Sequence, residues 1–300
     1  MLPDHFVEQD IAVDAMSIRV SHGGEGSPLL LLHGYPQTRH MWHRVAPALS
    51  RHHHVVCADL RGYGDSAKPP GGARQAAYAK RAMADDMVAV MAALGYRRFA
   101  VAVAGHDRGA RVTHRLALDH PAAVTRAAVL DIAPTLHMFE ATDQSFATAY
   151  YHWFFLIQPN GLPEKMIGTD PEWYLREKLK RWSAPGARFD PRAIAEYVRC
   201  FSKADAIHAS CEDYRAAATI DLVHDRADRA SGRKVACPLL VLWGAHGLVG
   251  RTYDMLDVWR RYADDVSGRA LDCGHFLPEE RPADVATELE RFFGDGQAAA

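Results

Sequence analysis

Five consecutive residues, Gly105-His106-Asp107-Arg108-Gly109, have the spacing of a nucleophile elbow. In a G-x-Nuc-x-G turn a buried strand meets a helix, and the chain turns so sharply that the middle side chain stands exposed above the sheet. Here that side chain is Asp107, not serine or cysteine. A serine attacking saturated carbon would leave an ether, which water does not readily cleave. Aspartate leaves an alkyl ester, and an activated water can attack its carbonyl, restoring the carboxylate and releasing an alcohol. An aspartate elbow therefore points to displacement at sp³ carbon, by dehalogenation or epoxide opening. The helix N-terminus beyond Asp107 favours the ionised form. Taken alone, G-x-D-x-G also has a plainer reading as a turn.

Three further features follow strands in a telling order. His33-Gly34-Tyr35-Pro36 succeeds the first apolar strand, where backbone N–H groups can help form an oxyanion hole. Asp131 ends the strand after the elbow helix, and His275, in Cys273-Gly274-His275-Phe276, lies just past the last strand. Individually Asp131 has a reading as a helix cap and His275 as a packed loop histidine. Together they give nucleophile, acid, histidine, the chain order of α/β-hydrolases. Arg108 and Arg111, three apart at the start of the elbow helix, can share one face beside the nucleophile. Guanidinium groups there suit a carboxylate-bearing substrate; the alternative is ordinary ion pairing on a helix surface.

The elements that position these residues alternate in type. Leu29 to Leu32, Val55 to Leu60, Phe99 to Ala104 (broken by Gly105), Ala127 to Ile132 and Pro238 to Gly244 read as strands, with a last one ending near Leu271. Tyr78 to Leu94, capped by Gly95, and Arg108 to Asp119, Tyr253 to Tyr262 and Pro282 to Phe293 read as helices. Such alternation predicts an α/β fold with a mainly parallel sheet flanked by helices. From Leu136 to Thr219 no strong buried strand occurs, only aromatic-rich helical segments such as Tyr150 to Ile157 and Pro171 to Trp182. The expected organisation is a core of residues 1–134 and 222–300 with an inserted helical cap at 135–221. The Ala-rich tail after Gly294 reads as frayed.

Composition removes several classes. With 35 basic against 37 acidic residues the net charge of −2 leaves no field to recruit nucleic acid or an anionic membrane. No apolar run approaches the ~20 residues of a membrane span, and the acidic Met1 to Asp10 lacks the character of a signal peptide. Cys57, Cys200, Cys211, Cys237 and Cys273 are odd in number, scattered and without C-x-x-C, so disulfides and a zinc site are not expected. A cytoplasmic protein without metal or cofactor is the expectation. His52-His53-His54 reads as surface histidines, since neighbours in an extended segment alternate faces and cannot converge on a metal. Arg61-Gly62-Tyr63-Gly64 reads as a structural turn, lacking the lysine and helix start of a phosphate loop. Trp42, Trp182 and Tyr150 fit either a pocket lining or packing beneath the cap.

The chain resembles the fluoroacetate dehalogenases of the α/β-hydrolase superfamily. The resemblance runs through His33-Gly34-Tyr35-Pro36-Gln37, Asp59 to Ser66, Gly105 to Arg111 and Leu130-Asp131-Ile132-Ala133-Pro134-Thr135. It continues in the cap through His152-Trp153-Phe154 and Cys211 to Ala216, and ends at Gly274-His275-Phe276. It implies Asp107 as nucleophile, His275 as base and Asp131 as its orienting acid. It further implies Arg108 and Arg111 on the substrate carboxylate, and His152, Trp153 and Tyr214 on the departing halide. Imidazole N–H, indole N–H and phenol O–H are suitable donors for a small, strongly hydrated anion; without the resemblance His152-Trp153 would read as packing aromatics. The segment Gly244-Ala245-His246-Gly247 lacks the acid many α/β-hydrolases carry there, which leaves Asp131 as third member of the triad. The implied reaction converts a small haloacid and water to the hydroxy acid and halide, in a homodimer. Two other readings stand beside it: an epoxide hydrolase using the same aspartate and cap tyrosines, and a non-catalytic receptor in which ligand capture moves the cap. Arg108 in place of a halide-binding tryptophan after the nucleophile disfavours a neutral haloalkane.

Overall fold

The computed structural model describes residues 1–96 and 101–294. Its strands are β1 (Val7–Val13), β2 (Met16–Gly23), β3 (Ser27–Leu32), β4 (His53–Ala58), β5 (Val101–His106), β6 (Val124–Leu130), β7 (Leu239–Gly244) and β8 (Val266–Leu271). They form one sheet in the order β1-β2-β4-β3-β5-β6-β7-β8. The pairs β1/β2 and β2/β4 are antiparallel and the remainder parallel. Leu29 to Leu32 of β3 are wholly buried, as a central strand covered on both faces requires. Parallel pairing brings the C-terminal ends of β3, β5, β6, β7 and β8 to one edge. His33, Asp107, Asp131 and His275 each follow such an end, the place where open α/β sheets bind ligands.

Several strand limits differ from the sequence expectation. The β1/β2 hairpin went unread, although Ile11, Val13, Ile18 and Val20 are its buried alternating positions and Asp14 makes the turn with φ 51°. β4 ends at Ala58, because the Asp59 carboxylate turns aside to accept from Arg39 N at 2.7 Å, Arg39 Nη1 at 2.6 Å and Asp65 N at 3.0 Å. The turn Arg61–Gly64 folds around this carboxylate. β5 is not broken at Gly105, which pairs with Leu32 on one side and Val129 on the other. Its expected residues Phe99 and Ala100 lie outside the described residues, as does the tail beyond Gly294.

The three neighbouring histidines are not a surface cluster. His52 is exposed, but His53 is buried with Nδ1 3.1 Å from Ser27 Oγ, and His54 lies between His22 and the Tyr96 hydroxyl. His53 and His54 open β4, and pairing with its neighbours buries the inward-facing His53.

Between β6 and β7 the chain is helical, from Thr135–Glu140 through Ile220–Ala230, with no strand. The expected boundary between 221 and 222 falls inside that last helix. The segment expected as one helix from Tyr150 to Ile157 is broken: a helix over Gln144–Ala149 stops, and a short one over His152–Phe155 begins after Tyr150 and Tyr151. Among the described residues no helix is long and apolar enough to cross a membrane.

Close approach at the elbow depends on its glycines. A Cβ at Gly109 would stand 2.4 Å from His33 O, and one at Gly105 2.4 Å from Gly109 O. The neighbours are backbone and cannot yield cheaply. Gly109→Ala is therefore expected to cost about 1–3 kcal/mol of overpacking. Gly168→Ala is the control: nothing lies within 4 Å of that Cβ, and a helical glycine replaced by alanine should gain about 0.5–1 kcal/mol. Urea midpoints of the two variants should move in opposite directions.

Candidate active site

Asp107 sits at φ 46°, ψ −112°, between the end of β5 and the elbow helix Arg108–Asp119. Its N–H donates to Leu130 O at 3.2 Å and its carbonyl accepts from Arg111 N at 3.2 Å. A non-glycine residue at positive φ is a strained conformation that flanking contacts must hold. The side chain is 7% exposed, and Oδ2 accepts from the Tyr35 N–H at 2.9 Å. One carboxylate oxygen is thus held by the loop after β3. His33 fixes that loop: its Nδ1–H donates to Gly34 O at 3.0 Å, and Nε2 accepts from Leu60 N at 3.1 Å.

His275 and Asp131 meet at the same edge. His275 Nδ1 lies 2.6 Å from Asp131 Oδ2, and Asp131 Oδ1 accepts from Gly244 N at 2.8 Å. Asp131 adopts φ 54° to reach both. The imidazole is also placed through its backbone, with His275 N donating to Trp182 O at 2.8 Å and the His106 Nε2–H donating to His275 O at 2.7 Å. Burial works to lower the His275 pKa, but the hydrogen bond and charge of Asp131, and the charge of Asp107, raise it above the usual value. Burial works to raise that of Asp107, yet His275, His106, Arg108 and Arg111 hold it below the usual carboxylate value. An ionised Asp107 beside an imidazole oriented by a second carboxylate is suited to nucleophilic attack followed by base-assisted hydrolysis.

The two arginines are buried beside the nucleophile and held differently. Arg108 directs Nε and Nη2 at the Asp213 carboxylate, at 2.8 and 2.7 Å, and leaves Nη1 without a partner. Arg111 reaches only neutral acceptors, Ala133 O at 3.1 Å, Thr135 Oγ1 at 2.8 Å and the Met138 sulfur, and its Nε is without a partner. Burial first, and then Arg108, lower its pKa to about 10, so it stays protonated at neutral pH. Each arginine therefore has one buried nitrogen without a partner among the described residues.

The structure also brings His152, Trp153 and Tyr214 together. The His152 ring centroid is 5.4 Å from that of Tyr214, and Trp153 is 6.5 Å from Tyr214. Cation–π contacts join them to the arginines, Arg108 Cζ standing 4.3 Å from the Tyr214 centroid and Arg111 Cζ 4.8 Å from that of Trp153. His152 is buried and held neutral by desolvation, with Lys178 the largest charge acting in the same direction. Burial likewise keeps the Tyr214 hydroxyl protonated.

Of the aromatic residues with two readings, Tyr150 and Trp182 belong to the site. Trp182 lies 5.5 Å from His275 and 4.5 Å from His152, and Tyr150 lies 5.1 Å from His152, ring to ring. Trp42 is buried in the turn Arg39–Trp42. Sequence reasoning missed Asp213, although it sits beside Tyr214 in the cap helix Ala204–Ala217. Asp213 also accepts from Tyr63 Oη at 2.6 Å and from Lys80 Nζ. Nothing in the residue string separates it from the exposed acids of other helices.

Comparison with known proteins agrees with this architecture. Residues 27–282 match the family model described as the alpha/beta hydrolase fold. A fluoroacetate dehalogenase from a Burkholderia species is 46% identical, with 98% of this chain and 95% of that protein covered. A soluble epoxide hydrolase from a Corynebacterium species is 35% identical over 90% of this chain and 91% of its own length. An alpha/beta-hydrolase crystal structure from Nostoc sp PCC 7120 is 56% identical and superposes with a TM-score of 0.93, covering 96% of this chain and 97% of that one. The chain belongs to the alpha/beta hydrolase fold family and, within it, to the fluoroacetate dehalogenases.

Proposed function

We propose that this chain hydrolyses a short 2-haloacid, fluoroacetate first, to the hydroxy acid and halide through an ester on Asp107. The observation that carries this reading is the pair of buried guanidinium groups beside Asp107, each with one nitrogen that has no partner among the described residues. A carboxylate has two oxygens to accept from them, and charge-assisted bonds in a dry site are strong. Arg111 makes no bond to a protein carboxylate, so a substrate anion would meet a cation not already neutralised there.

In the first step Asp107 Oδ1 attacks the halogen-bearing carbon and the carbon–halogen bond breaks, its electron pair leaving with the halide. His152, Trp153 and Tyr214 donate to the halide as its charge develops. In the second step His275 takes a proton from water, and the resulting oxygen adds to the Asp107 ester carbonyl. The Tyr35 N–H already donates to Oδ2, the oxygen that becomes the oxyanion. Collapse expels the hydroxy acid, protonated from His275, and leaves one water-derived oxygen on Asp107. Asp131 steadies the imidazolium between these events.

A second reading rests on a specific feature: the Tyr150 hydroxyl is buried, unpartnered and near His275, and Tyr214 is close by. Two phenols over an ester-forming aspartate could protonate an opening epoxide. Fluoroacetate, chloroacetate and styrene oxide offered to the protein separately decide between the two. Fluoride release from the first supports dehalogenation, and diol formation from styrene oxide with no halide release would replace it.

Three expectations follow from the assignment of steps. Single-turnover hydrolysis in ¹⁸O water by wild-type protein should place label on Asp107 before it appears in glycolate; label going directly into product would mean water attacks carbon. Arg111→Leu should cost about 2–5 kcal/mol in kcat/KM on a haloacetate, the scale for truncating one side of a buried charge pair. The uncharged haloacetamide should lose far less, and equal losses would make Arg111 a packing residue.

The pH dependence separates the half-reactions. Asp107 has a depressed pKa and stays ionised down to mildly acid pH, so ester formation should hold there. Ester hydrolysis needs neutral His275, whose free-enzyme pKa is raised by Asp131 and Asp107. Falling pH protonates His275, so rapid-quench traces should keep a burst of about one halide per site while steady turnover declines. His275→Asn should show the burst without turnover at any pH. A burst that vanishes with the steady rate would place His275 in the first step.

A further inference from the structure

Lys178, in the helix Pro171–Trp182, is 2% exposed, and its Nζ has no hydrogen-bond partner. The ammonium is surrounded instead by ring faces, 3.7 Å from the centroid of Tyr151, 5.0 Å from Tyr174 and 5.2 Å from Trp182. Cation–π attraction offsets part of the desolvation, but three N–H donors without an acceptor remain costly. Burial, with Arg181 pushing the same way, lowers its pKa to about 7. Among the described residues no acceptor meets these donors, which leaves them open to an anion.

Its surroundings say which anion. Trp182, one turn further along the helix, places its ring 4.5 Å from that of His152 and 5.2 Å from Lys178 Nζ. The Trp182 ring thus links Lys178 to His152. On its outer side lies Tyr151, next to His152 in the chain and 36% exposed, with Arg181 Cζ 5.9 Å from the same ring. His152, Lys178, and then Tyr151 with Arg181 form a succession from the closed site to the surface.

We propose that Lys178 is a transit site for a small monovalent anion, receiving the halide released at His152, Trp153 and Tyr214 and passing it outward as Tyr151 swings aside. This rests on the dehalogenase reading given above. The transfer is one of hydrogen bonds alone. The halide exchanges neutral donors for an ammonium and then for Arg181 and water. The same site could in principle receive the carboxylate of an incoming haloacetate, and kinetics distinguish arrival from departure.

The test compares wild type, Lys178→Met and Lys178→Arg with fluoroacetate under rapid quench. For Lys178→Met the rate of the first-turnover burst should stay within about twofold of wild type, while steady turnover at saturating substrate falls about tenfold, the scale of one charge-assisted hydrogen bond. Lys178→Arg should recover most of the loss. Crystals soaked in bromide should show anomalous density beside Lys178 Nζ in wild type and none there in Lys178→Met. A burst rate that falls with turnover, a loss confined to kcat/KM, unchanged kinetics, or no bromide at Lys178 each overturns the proposal. The bromide measurement needs no turnover. Failure to release fluoride would therefore reject the functional reading without deciding the anion site, and bromide decides the site by itself.

Discussion

The charge on Asp107 is almost completely removed from water, and the arrangement around it answers to the energy of keeping it there. An isolated carboxylate in such a place would take up a proton and lose its nucleophilicity. Here Tyr35 N–H holds one oxygen, and two guanidinium groups and two imidazoles surround the carboxylate closely enough to hold its pKa below the usual value. Those cations are buried in turn and need partners of their own. Arg108 finds Asp213 and Arg111 finds neutral oxygens and a sulfur. The two arginines are thus unequal, one paired with a carboxylate and the other bonded only to neutral acceptors among the described residues.

Asp213 ties the helix Ala204–Ala217 to the elements that flank the sheet. Its carboxylate gathers Arg108 from the elbow helix, Tyr63 from the turn after β4 and Lys80 from the helix Lys80–Ala93, and Lys80 N donates on to Asp221 Oδ1 at 2.9 Å. Opposing cations hold its pKa well below the usual carboxylate range, against its burial. Because Tyr214 follows Asp213 directly, the residue that orients Arg108 also sets the ring lying over it. Arg108 and Tyr214 are thereby fixed relative to each other through one buried ion pair. Buried pairs of this kind contribute little net stability beside an apolar replacement, but removing one partner leaves a stranded charge. What this pair supplies is position: it holds Arg108 against the helix Ala204–Ala217.

Much of this was legible in the residue string because it depends on local chemistry. The elbow pentapeptide needs only a strand, a helix and two glycines, and the close contacts at Gly105 and Gly109 are the physical content of that pattern. Apolar runs such as Leu29 to Leu32 mark central strands by composition alone. The β1/β2 hairpin was equally present as alternation at Ile11, Val13, Ile18 and Val20, but the first half of β1, Val7 to Asp10, is exposed and mostly polar and masks the pattern. The histidines at 52–54 misled for the opposite reason: polarity suggested the surface, while strand pairing buried His53 against Ser27.

The sequence by itself determined the aspartate at the elbow, its turn, the order of Asp131 and His275 after it along the chain, and the α/β alternation, because backbone geometry and hydrophobic period act over a few residues. Only the tertiary structure decided that Arg108 spends two of its nitrogens on Asp213, 105 positions away, and that Arg111 meets no carboxylate. It alone placed Tyr150 and Trp182 against His275 and sealed Lys178 among three rings. Electrostatic partners in a dry interior are chosen by distance through space, and a linear string carries no record of that distance until the sheet and the helices between β6 and β7 have closed around it.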